Sequence, residues 1–153
     1  MWRGFLTDFW RLFSPQRTQK AQRKAKVEQK LSEMVIGCAM SVSRDLGHGF
    51  LERVYEAALA IELDEARVSY ERQRGVAVRY RGRVVGEYVC DFIVDGRLLL
   101  ELKALTTMTR EHDAQVMNYL KATGLTVALL LNFGAPKLGV RRIVLNHDDT
   151  SPI

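Results

Sequence analysis

Residues 89–103 read Val89-Cys90-Asp91-Phe92-Ile93-Val94-Asp95-Gly96-Arg97-Leu98-Leu99-Leu100-Glu101-Leu102-Lys103, two apolar runs joined at Asp-Gly. An Asp-Gly pair between such runs favours a tight reversal, because both residues tolerate positive φ. The stretch therefore reads as two neighbouring antiparallel strands from the middle of a sheet. Into this oily pair the chain sets Asp91, Glu101 and Lys103. An unpaired buried carboxylate costs several kcal/mol, so the acids demand a counter-charge. A divalent cation satisfies that demand, and so does a structural ion pair with Lys103 or Arg97. Strand alternation puts Glu101 and Lys103 on one face. Asp91 joins them only if the connection has an odd length, as in a three-residue loop with Gly96 left-handed.

Outward from this pair, residues 76–80 and 84–94 read as a hairpin turning at Arg81-Gly82, with a bend at Gly86, and 97–103 as the next strand. A helix over 110–123 stops at Gly124. A fully apolar strand follows at 126–132, and a last one at 140–145. Upstream, a helical period through Leu31, Met34, Val35, Cys38, Ala39 and Val42 predicts one long helix over 17–45. Gly47-His48-Gly49 breaks it, and a second helix covers 50–66. That helix should turn Leu51, Val54, Ala58 and Ile61 inward and carry Glu52, Tyr55 and Glu56 towards its edge. Helices on a mixed sheet make an α/β or α+β sandwich.

With 153 residues, 47% of them hydrophobic, the chain has material for one core. Cys38 and Cys90 stand among apolar neighbours without paired metal-ligand spacing, which suits reduced thiols and a cytoplasmic location. His48, His112 and His147 do not cluster as zinc ligands do. Residues 1–30 hold eight Lys or Arg against Asp8 and Glu28, so the net charge of +5 belongs to this arm. Such an arm attracts polyanions or an anionic membrane surface. Within it Trp2, Phe5, Leu6, Phe9, Trp10 and Phe13 recur at helical spacing, suiting a packing face for a protein partner or second subunit, or a peripheral membrane contact. Asp8 and Arg11 interrupt the early apolar residues, which argues against a secretory signal, and no stretch approaches the length of a membrane span. Phosphate-cradling glycine loops, nucleophile elbows and Cys-x-x-Cys pairs are absent from the sequence.

Gly49-Phe50-Leu51-Glu52-Arg53-Val54-Tyr55 is followed in order by Asp91, by Glu101-Leu102-Lys103, by a helix carrying Gln115 and Tyr119, and by Asn132-Phe133-Gly134. This series resembles the GxxExxY family of the PD-(D/E)XK nuclease superfamily over roughly residues 31–146. Ser43 and His48 depart from its usual pattern, standing where a histidine and a proline are common. The resemblance implies a restriction-endonuclease-like core at 31–146, preceded by the arm at 1–30 and followed by a flexible tail at 147–153. It implies a metal site in which Asp91 and Glu101 give carboxylate oxygens, Glu52 assists, and the Leu102 carbonyl completes the set around Mg²⁺ or Mn²⁺. Lys103 then positions water or stabilises charge on phosphate, and Gln115, Tyr119 and Tyr55 contact the substrate. The implied reaction is metal-dependent hydrolysis of phosphodiester bonds in DNA or RNA. A non-catalytic interaction or oligomerisation module, anchored by the aromatic helix, is the alternative on the same fold.

Overall fold

A computed structural model describes residues 15–145. The aromatic stripe of residues 2–13 and the tail at 147–153 lie outside the described residues. The order is α1 (Pro15–Leu46), α2 (Glu52–Glu65), β1 (Tyr70–Tyr80), β2 (Arg83–Val94), β3 (Leu98–Lys103), α3 (Arg110–Thr123), β4 (Val127–Asn132) and β5 (Gly139–Val144). The five strands lie in the order β1-β2-β3-β4-β5. All neighbours are antiparallel except β3 and β4, which run parallel because α3 carries the chain across the sheet between them.

The sheet separates two cores. On one face Phe92, Val94, Leu98, Leu100 and Leu102 meet Val35, Val42, Leu59 and Leu63 from α1 and α2. On the other, Ile93, Leu99, Ala128 and Leu130 meet Val116 and Leu120 of α3. This two-sided cover explains why β3 and β4 read as unbroken apolar runs rather than alternating ones. Each fully buried Leu contributes about 1.5–3 kcal/mol by area.

Two expectations need correction. The inward stripe of α2 is Tyr55, Glu56, Leu59, Ala60 and Leu63, while Leu51 and Ile61 are exposed. The helix starts at Glu52, so Leu51 sits outside it, and the stripe is rotated by one position. β1 begins at Tyr70, six residues before the predicted start, because its first half is a polar edge paired only on one side. The long helix expected over 17–45 is present as α1, and within it Glu28 is buried, accepting a hydrogen bond from the Thr126 hydroxyl at 3.3 Å. Residues 18–27 are exposed throughout, so this basic part of the helix stands clear of the body.

Candidate active site

The β2–β3 connection sets the site. Val94 pairs with Leu98, Ile93 with Leu99 and Phe92 with Leu100, which leaves a three-residue loop, with Asp95 at φ 50° and Gly96 at φ 61°. The length is odd, so this register, if continued, would set Asp91 opposite Glu101, but the paired residues end at Phe92 and Leu100. The ladder stops there. Were it to continue, Leu102 would pair with Cys90; instead the Asp91 Oδ2 accepts the Leu102 N–H at 2.7 Å, and Cys90 packs towards α3. The same point is kinked on β1, where Gln73 has φ 52°, drops out of the register and donates to Asp91 Oδ1 at 3.4 Å. N–H and C=O of one strand residue point the same way, so the Leu102 carbonyl faces the opened gap too.

Beyond the gap, Lys103 Nζ lies 2.8 Å from Glu101 Oε1, with both side chains largely buried. The structural ion pair weighed for these residues is thus present, but it is incomplete. Glu101 Oε2 is buried without a hydrogen-bond partner. Burial, followed by the Asp91 charge, pushes the Glu101 carboxyl up to about 7 despite Lys103. Burial likewise raises Asp91 and Glu52 above ordinary carboxylate values. Burial by itself would lower the Lys103 ammonium; its bond to Glu101 and the charges of Glu101, Glu52 and Asp91 outweigh this and hold it above its usual value. Arg97 pairs with Asp95, and Arg72 is committed to Glu56 at 2.6 Å. Three carboxyls therefore crowd one ammonium.

Among the described residues no group of three or more His, Cys, Asp or Glu is arranged to hold a metal ion. The charge of Asp91 and, more weakly, that of Glu52 both act on Glu101 and raise its carboxyl. Two carboxylates and a carbonyl do suit a hard cation that keeps several waters, as Mg²⁺ does. The unpartnered Oε2 and the surplus of acid make the donor set fit such an ion.

The remaining motif residues divide. Tyr55 is fully buried, stacked on Phe133 with centroids 4.8 Å apart; its hydroxyl donates to the Gly47 carbonyl at 2.9 Å and accepts the Phe50 N–H at 3.1 Å. A fully buried ring with its hydroxyl engaged inside the protein offers no surface to substrate, so Tyr55 pins the α1–α2 loop instead. Gln115 donates to the Tyr119 hydroxyl at 2.9 Å, and both side chains line a cleft between α3 and the β1–β2 hairpin. His112 is used locally, its Nδ1 accepting the Thr109 N–H at the start of α3.

Sequence reasoning assigned no role to Asn132-Phe133-Gly134, and the structure supplies one. Asn132 Oδ1 accepts the Leu105 N–H at 2.9 Å, while its Nδ2 donates to the Leu105 carbonyl at 2.8 Å. The Phe133 N–H reaches the Lys103 carbonyl at 2.8 Å. Gly134 lies so near Ala104 and Leu105 that a Cβ would collide with their backbone. The end of β4 thus clamps the chain just after Lys103. A buried Asn beside a Gly at a strand end was the available signal.

A family model described as the PD-(D/E)XK nuclease superfamily matches residues 29–143. The chain belongs to the PD-(D/E)XK nuclease superfamily. The crystal structure of SSO0001 is similar in fold, with a TM-score of 0.51 at 17% sequence identity, over 82% of this chain. The chain spans 64% of that structure's length. No curated protein matches the chain. The mixed five-stranded sheet flanked by helices agrees with this superfamily, and members are usually nucleases. No helix among the described residues is long and apolar enough to cross a membrane.

Proposed function

We propose that the protein is a metal-dependent nuclease, of the GxxExxY branch of its superfamily, that hydrolyses phosphodiester bonds in DNA or RNA. The observation carrying this reading is the unpartnered, buried Glu101 Oε2 beside Asp91, a surplus of carboxylate in a site with one ammonium. Asp91, Glu101 and the Leu102 carbonyl hold Mg²⁺ or Mn²⁺, with Glu52 assisting from the start of α2. Once bound, the ion polarises a P–O bond and lowers the pKa of its water. Glu101 is in its ionised form when it receives the cation. Lys103 remains protonated, so it serves as a fixed positive charge and donor towards a phosphate oxygen rather than as a base. Gln115 and Tyr119 contact the strand from α3. Free, buried Cys38 and Cys90 are at home in a reducing cytoplasm.

The test is cleavage of labelled single- and double-stranded DNA and RNA with Mg²⁺ or Mn²⁺, comparing the wild type with Asp91→Ala and Lys103→Ala. Both variants are expected to lose activity. Cleavage surviving both substitutions would overturn the assignment.

A further inference from the structure

The cleft between α3 and the β1–β2 hairpin has a volume of about 790 Å³, within the range of small-ligand sites. Tyr88 stands in its wall with half its surface exposed, tilted against the buried Tyr119 at 5.7 Å between centroids. Arg79 and Lys121 stand in the walls contributed by the hairpin and by α3. Among the described residues the lining has one acid, Glu111, against these two cations. An exposed aromatic ring sharing a cleft with two cations is the combination that binds an unpaired base and its phosphates: stacking takes any base, and the charges follow the backbone.

Position supports this occupant. Tyr88 precedes Asp91 by three residues on β2, about 10 Å at about 3.3 Å per residue. A strand stacked on Tyr88 would therefore bring a phosphate to the carboxylates within a few nucleotides, at about 3.4 Å per stacked nucleotide. In a duplex both faces of each base are covered by neighbours, and a base must leave the stack before it can enter a concave site.

We infer that the Tyr88 cleft is a subsite for an unpaired nucleobase, flanked by phosphate contacts from Arg79 and Lys121, which makes single-stranded nucleic acid, or a frayed end, the preferred substrate class. This rests on the phosphodiester reading of the neighbouring carboxylates, and a binding experiment separates the two. The full chain in EDTA is titrated into fluorescein-labelled oligonucleotides about 12 nucleotides long, as a single strand and as the blunt duplex, with anisotropy as readout. The single strand is expected to bind more tightly. Tyr88→Ala should weaken it roughly ten-fold, the size of one lost base stack, while Tyr88→Phe keeps the affinity. Equal or tighter duplex binding, or an unchanged Tyr88→Ala, overturns the inference. Cleavage activity with an unchanged Tyr88→Ala affinity defeats the cleft and leaves the nuclease reading standing. A Tyr88-dependent preference for the single strand, without cleavage under any metal, defeats the nuclease reading and leaves the cleft.

Discussion

Glu101 holds two opposed relations in one carboxylate: Oε1 is bonded to Lys103, and Oε2 is buried with no partner. Its folded pKa of about 7 lies above the ordinary 4.5. Between these values the folded chain binds more protons than the unfolded one, so stability falls as pH rises through the window and stays lowered above it. At about 1.4 kcal/mol per pH unit the penalty is on the order of 3 kcal/mol. The raised Asp91 and Glu52 act in the same direction. Thermal melts in EDTA should therefore show a midpoint that drops from about pH 5 to about pH 8. Glu101→Gln should flatten that slope and melt higher than the wild type at the alkaline end, while abolishing cleavage. Tyr55 gives the contrasting case at this scale. Because its hydroxyl serves only the Gly47–Phe50 loop, Tyr55→Phe should cost about 1–2 kcal/mol of stability and leave KM for an oligonucleotide unchanged. A raised KM with an unchanged melting midpoint would return Tyr55 to the substrate.

Among the elements, those announced by local chemistry were legible in the sequence. Asp95-Gly96 and Arg81-Gly82 adopt the positive φ angles that their turns require, Gly124 closes α3 at φ 74°, and the β2–β3 loop has the odd length on which a shared face for Asp91 and Glu101 depends. What tertiary contact decides was not legible. The phase of α2 depends on where Tyr55 finds its pocket against Phe133, which no 3.6-residue period contains. The first half of β1 is polar and exposed, so it carries no strand signal of its own and exists because β2 pairs with it. The kink at Gln73 and Asp91 has no marker, since neither residue is a glycine or proline. The bend expected at Gly86 does appear, as a register shift that leaves Val85 unpaired between Val78–Gly86 and Arg79–Val84. The clamp after Lys103 yields a prediction at this scale. Gly134→Ala forces a Cβ into the Leu105 backbone. It should cost about 1–3 kcal/mol as an overpacking change. Cleavage should fall more than stability alone explains, since Lys103 shifts with the clamped chain. Melting and cleavage on one preparation check it, and a normal rate would detach the clamp from the site.

For the whole molecule, charge is divided along the chain. The body from residue 31 onward is close to neutral, while the first thirty residues carry the basic excess, part of it on the exposed start of α1. Phosphate neutralisation by such an arm releases counterions, so affinity for nucleic acid should fall steeply with salt. Removing residues 1–26 should weaken oligonucleotide binding and flatten the plot of log affinity against log salt. An unchanged slope would show that the arm serves something other than nucleic acid. The two cores on opposite faces of the sheet explain how one small body can open a polar gap between β2 and β3 and still hold its shape. That gap is the centre of the account. Titration calorimetry of Mn²⁺ into the full chain near neutral pH measures it directly: a saturable site is predicted, lost in Asp91→Ala and in Glu101→Gln while both variants remain folded. Absence of saturable binding in the wild type, or binding that survives both substitutions, would contradict the account.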